Sequence, residues 1–124
     1  VTYNSPGMQG LLNTVRATGA NNLVVVGGLD WGYDLRGVLN GYALSDRNYA
    51  GVVYDTHVYP WKGDWDGNFG NVSNHYPVIV GEVGHTNESI YESPTTWCPK
   101  ILDYIDNRGL SWTAWCFHPS ASPR

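Results

Sequence analysis

Glu82 lies at the end of a short β-branched run in residues 77–85, Pro-Val-Ile-Val-Gly-Glu-Val-Gly-His. The run 78–80 is apolar at every position, which predicts a parallel strand covered by helices. Gly81 and Gly84 flank the acid and allow backbone or ligand to approach it closely. Because ligands bind beyond the carboxyl ends of parallel strands, Glu82 is interpreted as a functional carboxylate, with a salt-bridged strand end as the alternative.

A second group of polar side chains ends the strand predicted over residues 52–59, Val-Val-Tyr-Asp-Thr-His-Val-Tyr. Side chains alternate along a strand, so Asp55, His57 and Tyr59 are expected on one face. A tyrosine hydroxyl or an imidazole in this position suits hydrogen bonding to a carboxylate or a sugar hydroxyl. Asp55 lies one layer deeper and is interpreted as structural. For His57 alone, a core histidine bonded to backbone is the alternative.

Four of the six tryptophans come at or just beyond the ends of predicted strands: Trp31, Trp61, Trp65 and Trp115. The C–H faces of pyranose rings pack on aromatic rings, so this row favours a binding surface for a glycan chain. For Trp61 and Trp65, packing within a loop is the alternative. Trp97 and Trp112 are expected in the core.

The elements that position these residues alternate along the chain. The pattern predicts helices over residues 5–19 and 96–107 and strands over residues 22–29, 52–59, 78–80 and 111–117. The predicted apolar helix faces are Met8, Leu11, Leu12 and Val15 in the first and Trp97, Ile101, Leu102 and Ile105 in the second. Four strands recurring about every 30 residues match a β/α barrel, and a complete barrel takes about 250 residues. The 124 residues therefore predict an α/β fold of one domain, 1–124, that is half of a (β/α)8 barrel.

The composition excludes several classes of partner. The formal net charge is −4 and no Lys/Arg cluster occurs, so neither a nucleic acid nor an anionic membrane surface is expected to bind. No stretch approaches the roughly 18 apolar residues that a membrane span needs. Residues 64–68, Asp-Trp-Asp-Gly-Asn, match a calcium loop only in part. No metal and no cofactor is predicted.

The strand-end motifs together resemble the carboxyl-terminal half of a glycoside hydrolase family 5 endoglucanase, from its fifth to its eighth strand, over nearly the whole chain. In that family the sixth strand ends in His-x-Tyr, which His57 and Tyr59 match. The seventh strand ends in the nucleophile, a Glu followed two residues later by Gly, which Glu82 and Gly84 match. The resemblance implies hydrolysis of β-1,4-glucan by a retaining mechanism, with a β-glucan as the partner.

Two tryptophans carry the rest of the resemblance. The eighth strand of the family ends in a Trp that forms a floor under the sugar at the cleavage point, matched by Trp115 in Ser-Trp-Thr-Ala-Trp. A Trp at the end of the fifth strand resembles Trp31. With Trp61, these residues are the predicted substrate-binding set.

The family's general acid/base is a Glu after Asn at the end of the fourth strand of its barrel. It has no counterpart here, because the four predicted strands match the fifth to eighth strands of that barrel. Retaining enzymes need two carboxyl groups about 5 Å apart. The second carboxyl is expected from Asp30, Asp64, Asp66, Glu88 or another chain, and Asp30 at the neighbouring strand end is the first candidate. The alternatives to hydrolysis are a non-catalytic carbohydrate-binding module and an inactive structural barrel fragment.

Two further expectations concern assembly and location. A four-stranded parallel sheet has two bare edges, so we expect a homodimer in which the last strand of one copy lies beside the first strand of the other. Cys98 and Cys116 are both expected near the carboxyl ends of the strands, which predicts a disulfide, with two free thiols as the alternative. A disulfide and a polymeric substrate suit a secreted protein.

Overall fold

The computed structural model describes residues 5–86 and 88–118. The elements follow in the order α1 (Gly7–Ala17), β1 (Val24–Gly27), β2 (Val52–Val58), α2 (Asn71–Ser73), β3 (Val78–Val83), α3 (Pro94–Asn107) and β4 (Ser111–Ala114). Two helical turns, Val38–Tyr42 and Asp66–Gly70, lie in the connections on either side of β2. Among the residues described, no helix has the length and apolar character of a membrane span.

The four strands form one sheet in chain order, β1-β2-β3-β4, and every adjacent pair is parallel. Parallel neighbours require a crossover from the end of one strand to the start of the next. The carboxyl ends of all four strands therefore lie along the same side of the sheet. This is the half-barrel that the spacing of the strands predicts, and it brings the strand-end residues of the sequence together.

The hydrophobic core lies between the sheet and α3. Val58 and Val80 of the sheet and Ile101 and Ile105 of the helix have no solvent exposure. The predicted stripe of α3 is thus confirmed, with Trp97 also buried and Leu102 partly buried against the core. The connection between β2 and β3 adds Phe69 and Val72, both fully buried, to the same core.

Helix α3 begins two residues before its predicted start. Ser93 precedes the helix and its Oγ accepts a hydrogen bond from the backbone N–H of Thr95 at 3.3 Å. Pro94 occupies the first helical position, where its missing N–H costs no hydrogen bond. The Ser-Pro pair therefore fixes where α3 begins and aims its apolar stripe at the sheet.

Apolar side chains next to the two outermost strands are exposed. Of the apolar face predicted on α1 only Leu12 is buried, while Met8, Leu11 and Val15 are exposed. Trp112 of β4 is 41% exposed, so the prediction that it lies in the core is wrong. The reason is the same at both ends: β1 and β4 are the terminal strands of the described sheet, so the residues beyond them have a neighbour on one side only.

Polar contacts hold α1 to the rest of the chain. The guanidinium of Arg16, buried despite its charge, donates to Asp46 at 3.0 Å and 2.8 Å and to the carbonyl oxygens of Ala20 at 3.0 Å and Asn22 at 2.9 Å. Asp46 also accepts from the N–H of Gly51. These contacts fasten the end of α1 to the start of β1 and to the loop before β2.

We predict that Asp46→Asn destabilises the fold at neutral pH and that the loss disappears in acid. The hydrogen bond from Arg16 holds the pKa of Asp46 below its ordinary value of 3.8. A lowered folded-state pKa gives stability that is present above pH 3.8 and is lost as pH falls through the folded value. Melting temperatures of the wild type and Asp46→Asn should differ at pH 7 and converge below pH 3.8. Asp103→Asn, at an exposed site on α3, is the control, and a difference independent of pH would contradict the prediction.

Candidate active site

An extra residue in β3 sets the direction of Glu82. Thr56 of β2 pairs with Val80, but the next residue, His57, pairs with Glu82, so Gly81 has no partner in the ladder. Strict alternation would place Glu82 on the buried side with Val80. The β-bulge at Gly81 reverses the alternation and turns Glu82 to the same side as His57.

Tyr59 contacts Glu82 directly. Tyr59 follows β2, is 7% exposed, and its hydroxyl donates to Glu82 Oε2 at 2.5 Å. A charge-assisted O–H···O⁻ bond of this length is among the stronger hydrogen bonds in proteins. It orients the carboxylate and leaves Oε1 as the oxygen that is free of this contact.

His57 lies between two carboxylates. Its Nδ1 is 3.5 Å from Glu82 Oε2, and its Nε2 is 2.9 Å from Asp55 Oδ2. A tight hairpin after β1 presses Gly32 against the ring, where any Cβ would lie 2.9 Å from Nδ1. Glu82 therefore lies within 3.5 Å of both other predicted catalytic residues, His57 and Tyr59, and Asp55 lies on the far side of the His57 ring.

The backbone of Trp115, just after β4, lies against the end of β3. The backbone N–H of Trp115 donates to the carbonyl oxygen of Val83 at 2.9 Å. The Trp115–Cys116 peptide bond is cis. A Cβ at Gly84 would lie 2.2 Å from the carbonyl oxygen of Trp115 and 3.3 Å from the Tyr59 ring. Only glycine at position 84 lets the backbone at Trp115 approach the end of β3, which explains the glycine two residues after Glu82.

Trp61 extends the aromatic surface from Tyr59. The two rings stack with centroids 4.9 Å apart and an interplanar angle of 4°, and the Tyr91 ring centroid lies 5.5 Å from that of Trp61. Pattern alone did not reveal this stack, although the Tyr-Pro-Trp sequence that forms it is visible in the chain. Trp61 is 43% exposed, so part of its side chain remains open to solvent.

Trp31 and Asp30 lie at the tip of the hairpin after β1. Both have left-handed backbone, with φ of 56° and 52°, an uncommon conformation for residues other than glycine. Trp31 is 88% exposed, with the Lys62 ammonium 5.9 Å from its ring centroid. The same ammonium is 2.5 Å from Asp30 Oδ2. Asp30 therefore has a cationic partner, and no described contact joins it to Glu82.

Trp65 does not contribute to this surface. Its ring packs against Trp97 at 6.4 Å and Tyr104 at 5.3 Å, and its indole N–H donates to the carbonyl oxygen of Lys62 at 2.9 Å. Packing within the loop, the alternative for this residue, is what the structure shows.

The disulfide predicted between Cys98 and Cys116 does not form, and both residues are free thiols. Cys98 lies on α3 and packs against the core, where burial raises the pKa of its thiol. Cys116 follows β4 and lies near Tyr59, on the side of the sheet that carries the site. Both cysteines are predicted near the carboxyl ends of the strands. Cys98, however, belongs to the helix layer, whereas Cys116 follows a strand of the sheet.

Comparisons with known proteins agree on one family. The family model described as "Cellulase (glycosyl hydrolase family 5)" matches residues 6–121. No curated protein sequence matches the chain.

Solved structures give the corresponding fold. A β-glucanase from Saccharophagus degradans is 26% identical, with a TM-score of 0.77 over 93% of this chain and 38% of its own, and its complex with cellotetraose gives a TM-score of 0.76. A cellulase of family 5 from an Icelandic hot spring isolate is 21% identical, with a TM-score of 0.68 over 89% of this chain and 36% of its own. The chain thus spans well under half the length of these relatives, as expected of a partial barrel.

We predict that Glu82 contributes to the raised pKa of the Tyr59 hydroxyl. Burial, and then the hydrogen bond and the charge of Glu82, raise the pKa of the Tyr59 hydroxyl well above its ordinary range. Tyr59 should therefore remain protonated near pH 10, where exposed tyrosines ionise. In Glu82→Gln the negative charge is lost, so the midpoint of the Tyr59 titration should fall to a lower pH. The ¹³Cζ shift of Tyr59, assigned with Tyr59→Phe, measures this, and equal midpoints in both proteins would show that Glu82 has no influence.

Proposed function

The chain belongs to glycosyl hydrolase family 5, the cellulase family, and on that premise we propose that it hydrolyses β-1,4-glucan with Glu82 as the nucleophile. One observation carries the proposal. Glu82 leaves the alternation of its strand at a bulge and meets Tyr59 and His57 on the open side of the sheet. A carboxylate turned outward in this way, at the carboxyl end of a parallel strand, is placed for reaction with a ligand.

The proposed reaction follows the retaining course. Glu82 Oε1 forms a bond to the anomeric carbon as the bond from that carbon to the glycosidic oxygen breaks, and the departing oxygen takes a proton from an acid. In the second step a water oxygen bonds the anomeric carbon, its proton passes to the conjugate base of the acid, and the bond to Oε1 breaks, so that Glu82 is released as a carboxylate. The Tyr59 bond to Oε2 directs Oε1 at the sugar.

Three exposed rings support a glycan as the ligand. Trp31, Trp61 and Trp115 come from the connections after β1, β2 and β4, so they line the edge at which Glu82 lies. Flat rings of this kind pack against pyranose C–H faces. The complex of the β-glucanase from Saccharophagus degradans with cellotetraose supports a β-1,4-linked oligosaccharide as the substrate class.

Asp30 is retained as the proposed proton donor to the leaving oxygen, although it is bound to Lys62. Two other candidates have partners away from the site: Asp66 bonds Tyr104 and Arg108, and Asp64 accepts from the N–H of Gly67. Glu88, the last candidate, is exposed in the loop after β3. If Asp30 supplies the proton, Asp30→Asn should lose activity on cello-oligosaccharides and keep it on an aryl cellobioside whose leaving group needs no acid.

We propose that a second copy of the chain covers the exposed outer strands of the sheet, β1 and β4. Leu23 and Val25 at the β1 end and Trp112 at the β4 end are 56%, 58% and 41% exposed. Unpaired strand edges with exposed apolar side chains favour association with another edge. A two-fold arrangement that places β4 of one copy beside β1 of the other covers both outer strands at once.

Secretion of the protein, which suits a polymeric substrate, stays a prediction.

Carbohydrate binding without turnover is the second candidate function. The Trp61–Tyr59 stack and the exposed Trp31 favour it, because an aromatic surface is sufficient for binding. The contact between Tyr59 and Glu82 favours hydrolysis, since binding alone does not require an oriented carboxylate.

We predict that hydrolysis of 2,4-dinitrophenyl β-cellobioside depends on Glu82. This leaving group departs without protonation, so the assay tests the nucleophile independently of the acid. Replacement by Gln should lower kcat by on the order of 10⁴- to 10⁶-fold, the usual cost of losing a nucleophile. A 2-deoxy-2-fluoro cellobioside should also leave a covalent label on Glu82 that mass spectrometry detects.

Glu92→Gln is the matched control, because Glu92 bonds Lys100 on the surface after β3. It should turn over as the wild type does. If the wild type binds cellotetraose in calorimetry but neither reacts nor becomes labelled, the binding function stands and hydrolysis is rejected. Equal activity of Glu82→Gln and wild type would reject Glu82 as the nucleophile.

The dimer is tested by multi-angle light scattering over a range of concentrations. We expect the mass of two chains, and of one chain for Val25→Glu, which puts a charge at the exposed β1 end. Arg47→Glu, an exposed site between β1 and β2, should remain dimeric. A single-chain mass for the wild type at high concentration would contradict the proposal.

A further inference from the structure

The carboxylate of Asp55 connects the two features on which the site depends. Its Oδ1 accepts the N–H of Gly81 at 2.8 Å, and its Oδ2 lies 2.9 Å from His57 Nε2. The side chain is 15% exposed. Its position one layer below the strand end predicts a structural role, and Asp55 makes or breaks no bond in the proposed reaction.

The first contact satisfies the bulge. Gly81 is the extra residue of β3, so its N–H has no carbonyl acceptor in the ladder with β2. A polar backbone group left without a partner away from water costs free energy, and bulges persist where that cost is met. Asp55 supplies the missing acceptor from the neighbouring strand and thereby holds the bulge that turns Glu82 outward.

The second contact fixes a proton. An ionised carboxylate only accepts hydrogen bonds, so His57 must carry its proton on Nε2 to bond Asp55. In the neutral ring Nδ1 is then unprotonated, and it is Nδ1 that lies 3.5 Å from Glu82 Oε2. With this tautomer His57 donates no hydrogen bond to Glu82, so among the described residues the Tyr59 hydroxyl alone donates to the carboxylate.

The packing around Asp55 leaves room for no other residue at position 81. A Cβ on Gly81 would lie 2.2 Å from Asp55 Oδ1 and 2.8 Å from its Cγ. Gly81 is not among the residues with positive φ, so its backbone conformation is open to alanine. Asp55 is therefore the reason that position 81 needs a glycine.

We propose that Asp55 is a positioning residue, which holds the Gly81 bulge and keeps the His57 proton on Nε2, so that Glu82 faces the substrate as an unblocked nucleophile. The proposal rests on the proposed function for the role of Glu82, but its two structural statements can be measured without turnover.

The primary test is Asp55→Asn, which keeps the shape but replaces one acceptor oxygen by an NH₂ group. If the NH₂ faces His57, the ring must change to the Nδ1–H tautomer and donate towards Glu82. If it faces Gly81, two donors meet and the bulge amide loses its bond. Long-range ¹H–¹⁵N spectra, with His57 assigned by His57→Gln, should therefore show the other tautomer, or hydrogen exchange at the Gly81 amide should rise at least about tenfold. Asp103→Asn, exposed on α3, should change neither.

A double-mutant cycle tests the same contact if Asp55→Asn folds poorly. Gly81→Ala should disturb the His57 tautomer as Asp55→Ala does, because the new methyl group displaces the carboxylate. In the Asp55→Ala background the same substitution should add nothing further, since the group that it collides with is absent. Additive effects on the spectra would show that position 81 and Asp55 act independently.

Activity separates the two proposals. If the chain hydrolyses the aryl cellobioside, Asp55→Asn should lower kcat about 10- to 100-fold with little change in KM. If the chain is inactive, the proposed hydrolysis fails, while the tautomer and the Gly81 exchange still decide the role of Asp55. An unchanged His57 tautomer together with unchanged Gly81 exchange in Asp55→Asn overturns the proposal.

Discussion

Every contact of Glu82 depends on one extra residue in β3. Without the bulge at Gly81, alternation would put the carboxylate on the covered side of the sheet, among Val58, Val80 and Ile101, none of which has any solvent exposure. An ionised carboxylate in such surroundings has a large desolvation penalty. The bulge avoids that penalty and brings Glu82 within reach of Tyr59 and His57 on the neighbouring strand.

Close approach of backbone to side chain is the second requirement of the site, and glycine meets it three times. Gly32 lies against the His57 ring, Gly81 against the Asp55 carboxylate and Gly84 against the carbonyl of Trp115. Each of these approaches comes from a different connection or strand end. Together they bring the hairpin, β2, β3 and the residue after β4 close to one another, although Gly32 and Trp115 are 83 positions apart.

The two faces of the sheet differ in kind. One face packs on α3 and carries a core with several fully buried residues, while the other carries half-buried polar groups, with His57 and Glu82 each about a quarter exposed. The buried apolar contacts therefore lie on one face of the sheet and the candidate active site on the other. This division explains why Cys98 in the core layer and Cys116 beside Tyr59 remain apart.

The sequence by itself determined the four parallel strands, the buried stripe of α3 and the order of the strand-end residues, because these depend on local periodicity and on residue type. It also determined the family, through His57, Tyr59, Glu82 and Trp115 at matching strand ends. Tertiary structure alone decided the side to which Glu82 points, since a bulge is defined by the pairing of two strands 20 or more residues apart. It alone decided the partners of Asp55, the Trp61–Tyr59 stack and the exposure of α1 and Trp112, because each depends on what another element places beside it.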